Sequence, residues 1–380
     1  MKVCGIICEY NPFHNGHKYQ LQRARELTQA DYIVCVMSGP FVQRGDAAVC
    51  DKWSRAQMAL QNGADLVLEL PAAFAVRPAQ DFAFGGVALL HSLHVVTHLS
   101  FGAEDDDLER LYRFAAPETP EESARMQEYL AQGLSHPAAR AKAMGMDMPP
   151  NVTLAVEYIR AIQKLNSTMQ PVPVLRTYDH HDTAAHEMAS ATAIRLQLMQ
   201  GNTDLAHAMP PDALQLMLND LPQPLMSLSR FSDILMYILR TTPPETLRAA
   251  FSIPEGLENR LCREAAAHSH IDDVLAAVKC KRYPLARLRR MMVHILLSQT
   301  CDLLTEHTAP EYARVLGFRK AAAPLLTAIK QNSAIPLITK VADAQPNALL
   351  DLDLRAQNIW DLAAGKPADR DLTERIRLPN

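Results

Sequence analysis

A chain of 380 residues is longer than one compact core commonly supports, and a 48% share of hydrophobic residues is enough for two cores. Its 38 basic and 42 acidic side chains give a net charge of −4, which excludes a basic coat over the whole surface and confines any RNA contact to a local patch. Cys4, Cys8, Cys35, Cys50, Cys262, Cys280 and Cys301 form no C-x-x-C pair, so free thiols in a reducing cytosol are expected rather than a disulfide framework or a zinc site. The first residues hold no cleavable leader pattern and no apolar run reaches about 18 residues, so neither secretion nor membrane spanning is expected.

In chain order, Val3 to Cys8, Tyr32 to Met37, Leu66 to Leu70 and His98 to Phe101 are short apolar runs, each followed by turn-forming residues. Helical patterns alternate with them at His17 to Leu27, Lys52 to Gln61 and Phe82 to His91. This alternation predicts an α/β, Rossmann-like parallel sheet whose ligand site lies beyond the C-terminal strand ends. Residues 118 to 146 read as an inserted helical segment. A further strand, Pro171 to Arg176, precedes a polar stretch and a helix from Thr192 to Met199, capped by Ser190 or Thr192.

Eight of the 14 glycines fall within residues 1–102, and after Asp204 the pattern is helical at Leu214 to Leu218, Phe231 to Leu239, Val274 to Val278, Leu285 to Leu297 and Ala321 to Ile329. The expected division is a catalytic unit over residues 1–202 and a mainly α-helical one over 203–380.

The turn after the first strand carries the chemistry. It lies in Ile7-Cys8-Glu9-Tyr10-Asn11-Pro12-Phe13-His14-Asn15-Gly16-His17-Lys18-Tyr19-Gln20, with a helix starting near Gly16. In His-x-Gly-His at a helix start, glycine lets a nucleotide approach the backbone, free N–H groups face phosphate, and both imidazoles can donate to phosphate oxygens. A solvated helix start is the rival reading, and placement directly after the first strand favours the nucleotide. His14 and His17 are thus the catalytic candidates, stabilising charge at an α-phosphate under attack. No third metal ligand has suitable spacing.

Ser190-Ala191-Thr192-Ala193-Ile194-Arg195 opens a later helix. Ser190 and Thr192 either cap it or bind the outer phosphates, while Arg195 can steady a leaving pyrophosphate.

These runs resemble the bacterial tRNA(Met) cytidine acetate ligase family. The resemblance rests on Gly5 to His17, Met37 to Asp46, Asp51-Lys52-Trp53-Ser54-Arg55, Asn62 to Val67, Ser100-Phe101-Gly102, Ser190 to Arg195 and Lys281-Arg282-Tyr283. It implies a HIGH-type nucleotidyltransferase fold that activates acetate with ATP to acetyl-adenylate and then acylates the wobble cytidine of elongator tRNA(Met). Carried over by position, it implies ATP contacts at Ile7 to Gln20, Gly102, Asn151 and Arg176. Gly102 also reads as a turn residue and Asn151 as a helix cap. His180 and His181, in the loop beyond Arg176, read as exposed rather than metal-binding. In the stretch after the second strand, Phe41 and Val42 could wall an acetate methyl, with Arg44 or Lys52 neutralising a carboxylate or phosphate.

Between Lys279 and Arg290 stand Lys279, Lys281, Arg282, Arg287, Arg289 and Arg290 with no acid among them. With Tyr283 or an arginine plane to stack a base, this is the expected tRNA contact; the rival is a solvated helix face. Mg²⁺ can accompany the triphosphate, since it commonly binds through substrate phosphates. No stable protein partner is inferred. The alternative functions are a HIGH-type transferase acting on a small phosphorylated metabolite, and an RNA-binding module with a vestigial nucleotide site.

Overall fold

The computed structural model describes residues 1–104, 107–134, 136–145, 152–175, 189–250 and 253–379. The described residues form nine strands: β1 (Val3–Cys8), β2 (Tyr32–Ser38), β3 (Phe41–Val42), β4 (Asp46–Ala47), β5 (Leu66–Leu70), β6 (His98–Ala103), β7 (Gln170–Leu175), β8 (Ala313–Phe318) and β9 (Leu337–Ile338). Seven of them build one sheet in the order β7-β6-β1-β2-β5-β8-β9, and β3 pairs β4 as a separate hairpin. All neighbours in the sheet run parallel except β5 and β8.

The alternating strands explain why both faces are covered. In β2, Ile33, Cys35 and Met37 join one apolar cluster and Val34 and Val36 the other, as expected of strands buried on both sides. Helices Asn15–Thr28, Lys52–Gln61 and Ala191–Met199 contribute to the first cluster, and Ala79–Ser92 and Val152–Lys164 to the second. The chain moves from β1 through β2 to β5, then returns to the other side of β1 for β6 and β7. That reversal makes the C-terminal ends of β1 and β6 the topological switch point, where open α/β sheets bind ligands.

After residue 202 the described residues are mainly helical, including Pro211–Asp220, Ser232–Thr241, Leu257–Ala267, Ile271–Val278, Leu285–Leu296 and Ala348–Ala364. Helical periodicity did not announce β8 or β9, which come from this part and extend the sheet beyond β5. The sheet therefore draws on both parts of the chain. Among the described residues no helix is long and apolar enough to cross a membrane.

A buried charge network ties the two parts together. Lys52 Nζ lies 2.9 Å from Glu69 Oε1 and 2.9 Å from Asp371 Oδ1, while Arg314 lies 3.1 Å from Glu69 Oε2 and 2.5 Å from Asp371 Oδ1. All four side chains are 4% exposed or less. Lys52 thus neutralises protein carboxylates at the C-terminal end of β5, which corrects the expectation that it could face an acetate or phosphate.

Beside the network, Asp353 accepts from the Tyr312 hydroxyl (2.5 Å) and the Ala72 amide (2.7 Å). Burial, with the charge of Glu69 adding to it, pushes its carboxyl up to about 7. An unfolded aspartate titrates near 3.9, so between about pH 4 and 7 the folded chain keeps a proton that the unfolded chain has lost. Stability from this group is full below that window and declines as pH rises through 7. Asp353→Asn keeps the shape without a titrating proton and is expected to flatten the fall of thermal midpoint between pH 4.5 and 8. Equal slopes in the two proteins would contradict this reading.

Candidate active site at the switch point

The helix Asn15–Thr28 begins with a reciprocal cap made by the two histidines. The Gly16 amide donates to His14 Nδ1 (3.1 Å), and the His14 amide donates to His17 Nδ1 (3.2 Å). An Nδ1 that accepts carries no proton, so the neutral ring holds its proton on Nε2, the tautomer able to donate to a phosphate oxygen. The rings stack with centroids 3.7 Å apart, and His17 also meets Tyr10 edge-on (4.8 Å) and Phe13 at a tilt (5.6 Å). No acidic residue occupies the first helical turn, which preserves the positive end of the helix dipole for an anion.

Within Ile7 to Gln20 the roles separate. Ile7, Tyr10 and Phe13 are buried in the two cores and serve as packing, so a ligand would meet the later part of this turn. Asn11 Oδ1 accepts from the Val49 amide (2.8 Å), and Asn15 ties the helix start to the Ala208 and His207 carbonyls, both at 3.0 Å. Gly16 is buried, whereas Asn15, His17, Lys18, Tyr19 and Gln20 are half-buried. Burial pushes the Cys4 and Cys50 thiols up to about 12, and burial together with Cys35 raises that of Cys8, so none of these three supplies a thiolate at neutral pH.

The two motifs meet. Arg195 Nη1 donates to the Asn11 carbonyl (2.7 Å) and Nη2 to the exposed Thr192 hydroxyl (3.2 Å). Ser190 acts as the cap, its hydroxyl accepting from the Ala193 amide at 3.2 Å, while Thr192 and the half-buried Arg195 border the turn. Burial draws the Arg195 guanidinium down; Glu9 and Asp46 oppose this, and Arg44 and Arg289 add to it. Three arginines and two acids from separate elements thus come together around one turn. Gly102 closes the other side, paired with Val174 at the C-terminal end of β6. Asn151, Arg176, His180 and His181 lie outside the described residues.

The hairpin β3–β4 stands beside this turn. Its Gln43 amide donates to Glu9 Oε1 (2.8 Å), and Arg44 at its tip is exposed. Phe41 and Val42 face inward instead of walling a ligand, with the Phe41 ring 5.5 Å from Phe231. Gly45 has φ +76°, and a Cβ there would lie 2.3 Å from the Arg290 amide nitrogen, so only glycine admits the helix Leu285–Leu296 so close.

That helix brings the basic run to the site. Its sequence has an apolar stripe of Leu285, Leu288, Met292 and Ile295; the last three are buried together with Met291, while Leu285 at the first turn is half-buried. Arg289 reaches Asp46 and Arg290 the Gln43 carbonyl, both at 3.4 Å, while Lys279, Lys281 and Arg282 are exposed and Arg287 half-buried. Tyr283 is only 8% exposed, and the guanidiniums of Arg282 and Arg287 lie 5.5 and 5.3 Å from its ring centre. It is therefore not an open stacking platform, which corrects the expectation that Tyr283 could stack a base.

Sequence reasoning gave no role to Arg55, whose side chain hydrogen-bonds the carbonyls of Glu9, Ser38, Gly39 and Cys50. The available signal was its spacing: Arg55 falls three and four residues before Met58 and Ala59, on the buried helix face.

A histidine-capped helix start at the switch point of a mostly parallel sheet defines a nucleotidyltransferase, and residues 1–375 match the family model HIGH Nucleotidyl Transferase. The tRNA(Met) cytidine acetate ligase of Thermoanaerobacter sp. (strain X514) is 37% identical over 96% of both chains, and that of Listeria monocytogenes 38% identical over 95% of both. Crystal structures of Thermotoga maritima TmcAL superpose over 100% of this chain and 99% of theirs. The apo form is 31% identical with a TM-score of 0.92, and the form bound with alpha-thio ATP 30% identical with a TM-score of 0.90. The chain belongs to the HIGH nucleotidyl transferase family and, within it, to the tRNA(Met) cytidine acetate ligases.

Proposed function

We propose that this chain is an ATP-dependent ligase that forms acetyl-adenylate from acetate and ATP and then acetylates the wobble cytidine of elongator tRNA(Met) to N4-acetylcytidine. The observation that carries the reading is the His14–His17 stack at the mouth of β1, joined through Asn11 to Arg195. An acetate oxygen attacks the α-phosphorus, and the bond to pyrophosphate breaks. His14 and His17 donate to the oxygens gaining charge, and Arg195 with Thr192 steadies the departing pyrophosphate. The cytidine amine then attacks the acetyl carbonyl, and AMP leaves. That step needs the base unstacked from the anticodon loop and drawn into the crevice.

Gly102 gives the adenosine a close approach to backbone, with Asn151 and Arg176 as further contacts on the family resemblance. Mg²⁺ is proposed to arrive on the triphosphate. Among the described residues no group of three or more His, Cys, Asp or Glu side chains is placed to hold a metal ion, and no step is assigned to a resident one. A cytosolic setting suits both the tRNA substrate and the seven free cysteines.

The assay is formation of labelled adenylate from ATP with and without acetate, followed by addition of tRNA(Met). Acetate-dependent adenylate whose acetyl group moves to the tRNA supports the reading. Turnover with another acceptor alone would replace it with a small-metabolite transferase.

The 203–380 part is proposed to bind the tRNA through Lys279, Lys281, Arg282, Arg287, Arg289 and Arg290. The docking of the helix Leu285–Leu296, which carries Arg287, Arg289 and Arg290 and follows the other three directly, supports this, because Arg289 and Arg290 reach the β3–β4 hairpin beside the crevice. Lys281→Ala/Arg282→Ala is expected to weaken tRNA binding about tenfold and to lower the slope of log K against log salt by up to about two. Adenylate formation without tRNA should be unchanged, and an unaltered salt slope would remove these two residues from the interface.

A further inference from the structure

Arg55 is fully buried, at 0% exposure, on the helix Lys52–Gln61. Its Nη1 donates to the carbonyls of Glu9 (2.7 Å) and Ser38 (2.9 Å), Nη2 to Gly39 (2.5 Å) and Nε to Cys50 (3.2 Å). Every acceptor is a neutral main-chain oxygen, and among the described residues Arg55 makes no ion pair. Its neighbours behave differently. Lys52 and Arg314 are paired with Glu69 and Asp371, and Lys366 and Arg370 with Asp51. The acids closest to Arg55 are thus already matched by other cations.

An arginine stays ionised when buried, so this site keeps a positive charge that no side chain directly offsets. Three of its four acceptors, Glu9, Ser38 and Gly39, sit where β1 and β2 end at the crevice. Carbonyl oxygens at that position would repel an anion, and here they are bound from beneath by a cation. In surroundings with little water the field of such a charge is screened far less than that of a surface arginine.

We propose that Arg55 is a positioning residue that shapes the crevice floor and makes it selective for the polyanionic part of a nucleotide. The proposal rests on the reading of the crevice as the ATP site. It assigns to Arg55 a preference for phosphate charge, distinct from holding the fold.

Calorimetry with adenosine and a non-hydrolysable ATP analogue tests this on the full chain, with circular dichroism and thermal midpoints as the check on folding. The comparison uses Arg55→Met, which removes the charge, and Arg55→Lys, which keeps it. In Arg55→Met the preference for the triphosphate over adenosine is expected to fall about tenfold or more, with adenosine affinity little changed. Arg55→Lys should keep the preference within about threefold of the unaltered chain even if its thermal midpoint drops. A parallel loss of both ligands in the two variants, or a Met variant with full preference, would reduce Arg55 to a scaffold residue. Should the Met variant fail to fold, the Lys variant decides: a folded Lys variant that has lost the preference overturns the proposal. An unaltered chain that binds neither ligand overturns the ATP reading itself, a separate outcome.

Discussion

Replacing His14 by alanine is expected to cut acetate-dependent adenylate formation by about 10²–10³-fold, the range for losing one preorganised donor at a developing charge. Two effects must be separated. The substitution removes the acceptor for the Gly16 amide, a cap whose loss costs about 1 kcal/mol, and it unstacks His17. His14→Asn separates them, because asparagine caps a helix well but places no imidazole at the phosphate. Stability near that of the unaltered chain with activity still lost would assign the defect to chemistry. Binding of tRNA should stay within about twofold in both variants, since the basic helix lies on another element. Full adenylation by His14→Ala would remove the imidazole from the reaction.

Lys52→Met is expected to destabilise the protein by about 3–5 kcal/mol, as removing one partner of a buried ionic group leaves the remaining charges without compensation. Glu69 and Asp371 would both lose a contact of 2.9 Å, and Arg314 alone would then face two carboxylates. Denaturant midpoints measure the effect. Adding Glu69→Gln to Lys52→Met should recover part of the loss by removing the carboxylate left exposed to an apolar interior. A single variant within 1 kcal/mol of the unaltered chain, against the roughly 3 expected at minimum, would show that the network contributes little.

The sheet's first strands were legible because their apolar runs are short and end in turn residues; β1, β5 and the helix Lys52–Gln61 fall on the expected residues. The strand β8 was not, because Ala313 to Phe318 is a six-residue stretch broken by Arg314 in helical surroundings, and its partner β5 lies far away in sequence. At the site, the histidines could be read from their spacing after a strand, whereas the link from Arg195 to Asn11 exists only once the chain has folded. Lys52 misleads for a related reason. Charged residues are ordinarily solvated, and nothing local tells that this one is enclosed by carboxylates, whereas Arg55 left the signal of its place on the buried helix face. Tyr283 shows the converse, an aromatic among basic residues that proves to be packing.

The antiparallel seat of β8 beside β5, locked by Asp371, bears on how the molecule is made. A ribosome delivers β1, β2, β5 and Glu69 well before Arg314 and Asp371, which follow more than 200 residues later in the chain. Until then Lys52 has half its acidic partners, and the β5 edge is open to pairing with another chain. Completion of this side of the sheet must therefore wait for β8 and Asp371, and in the interval the bare edge of β5 carries the pairing hazard of an unfinished sheet.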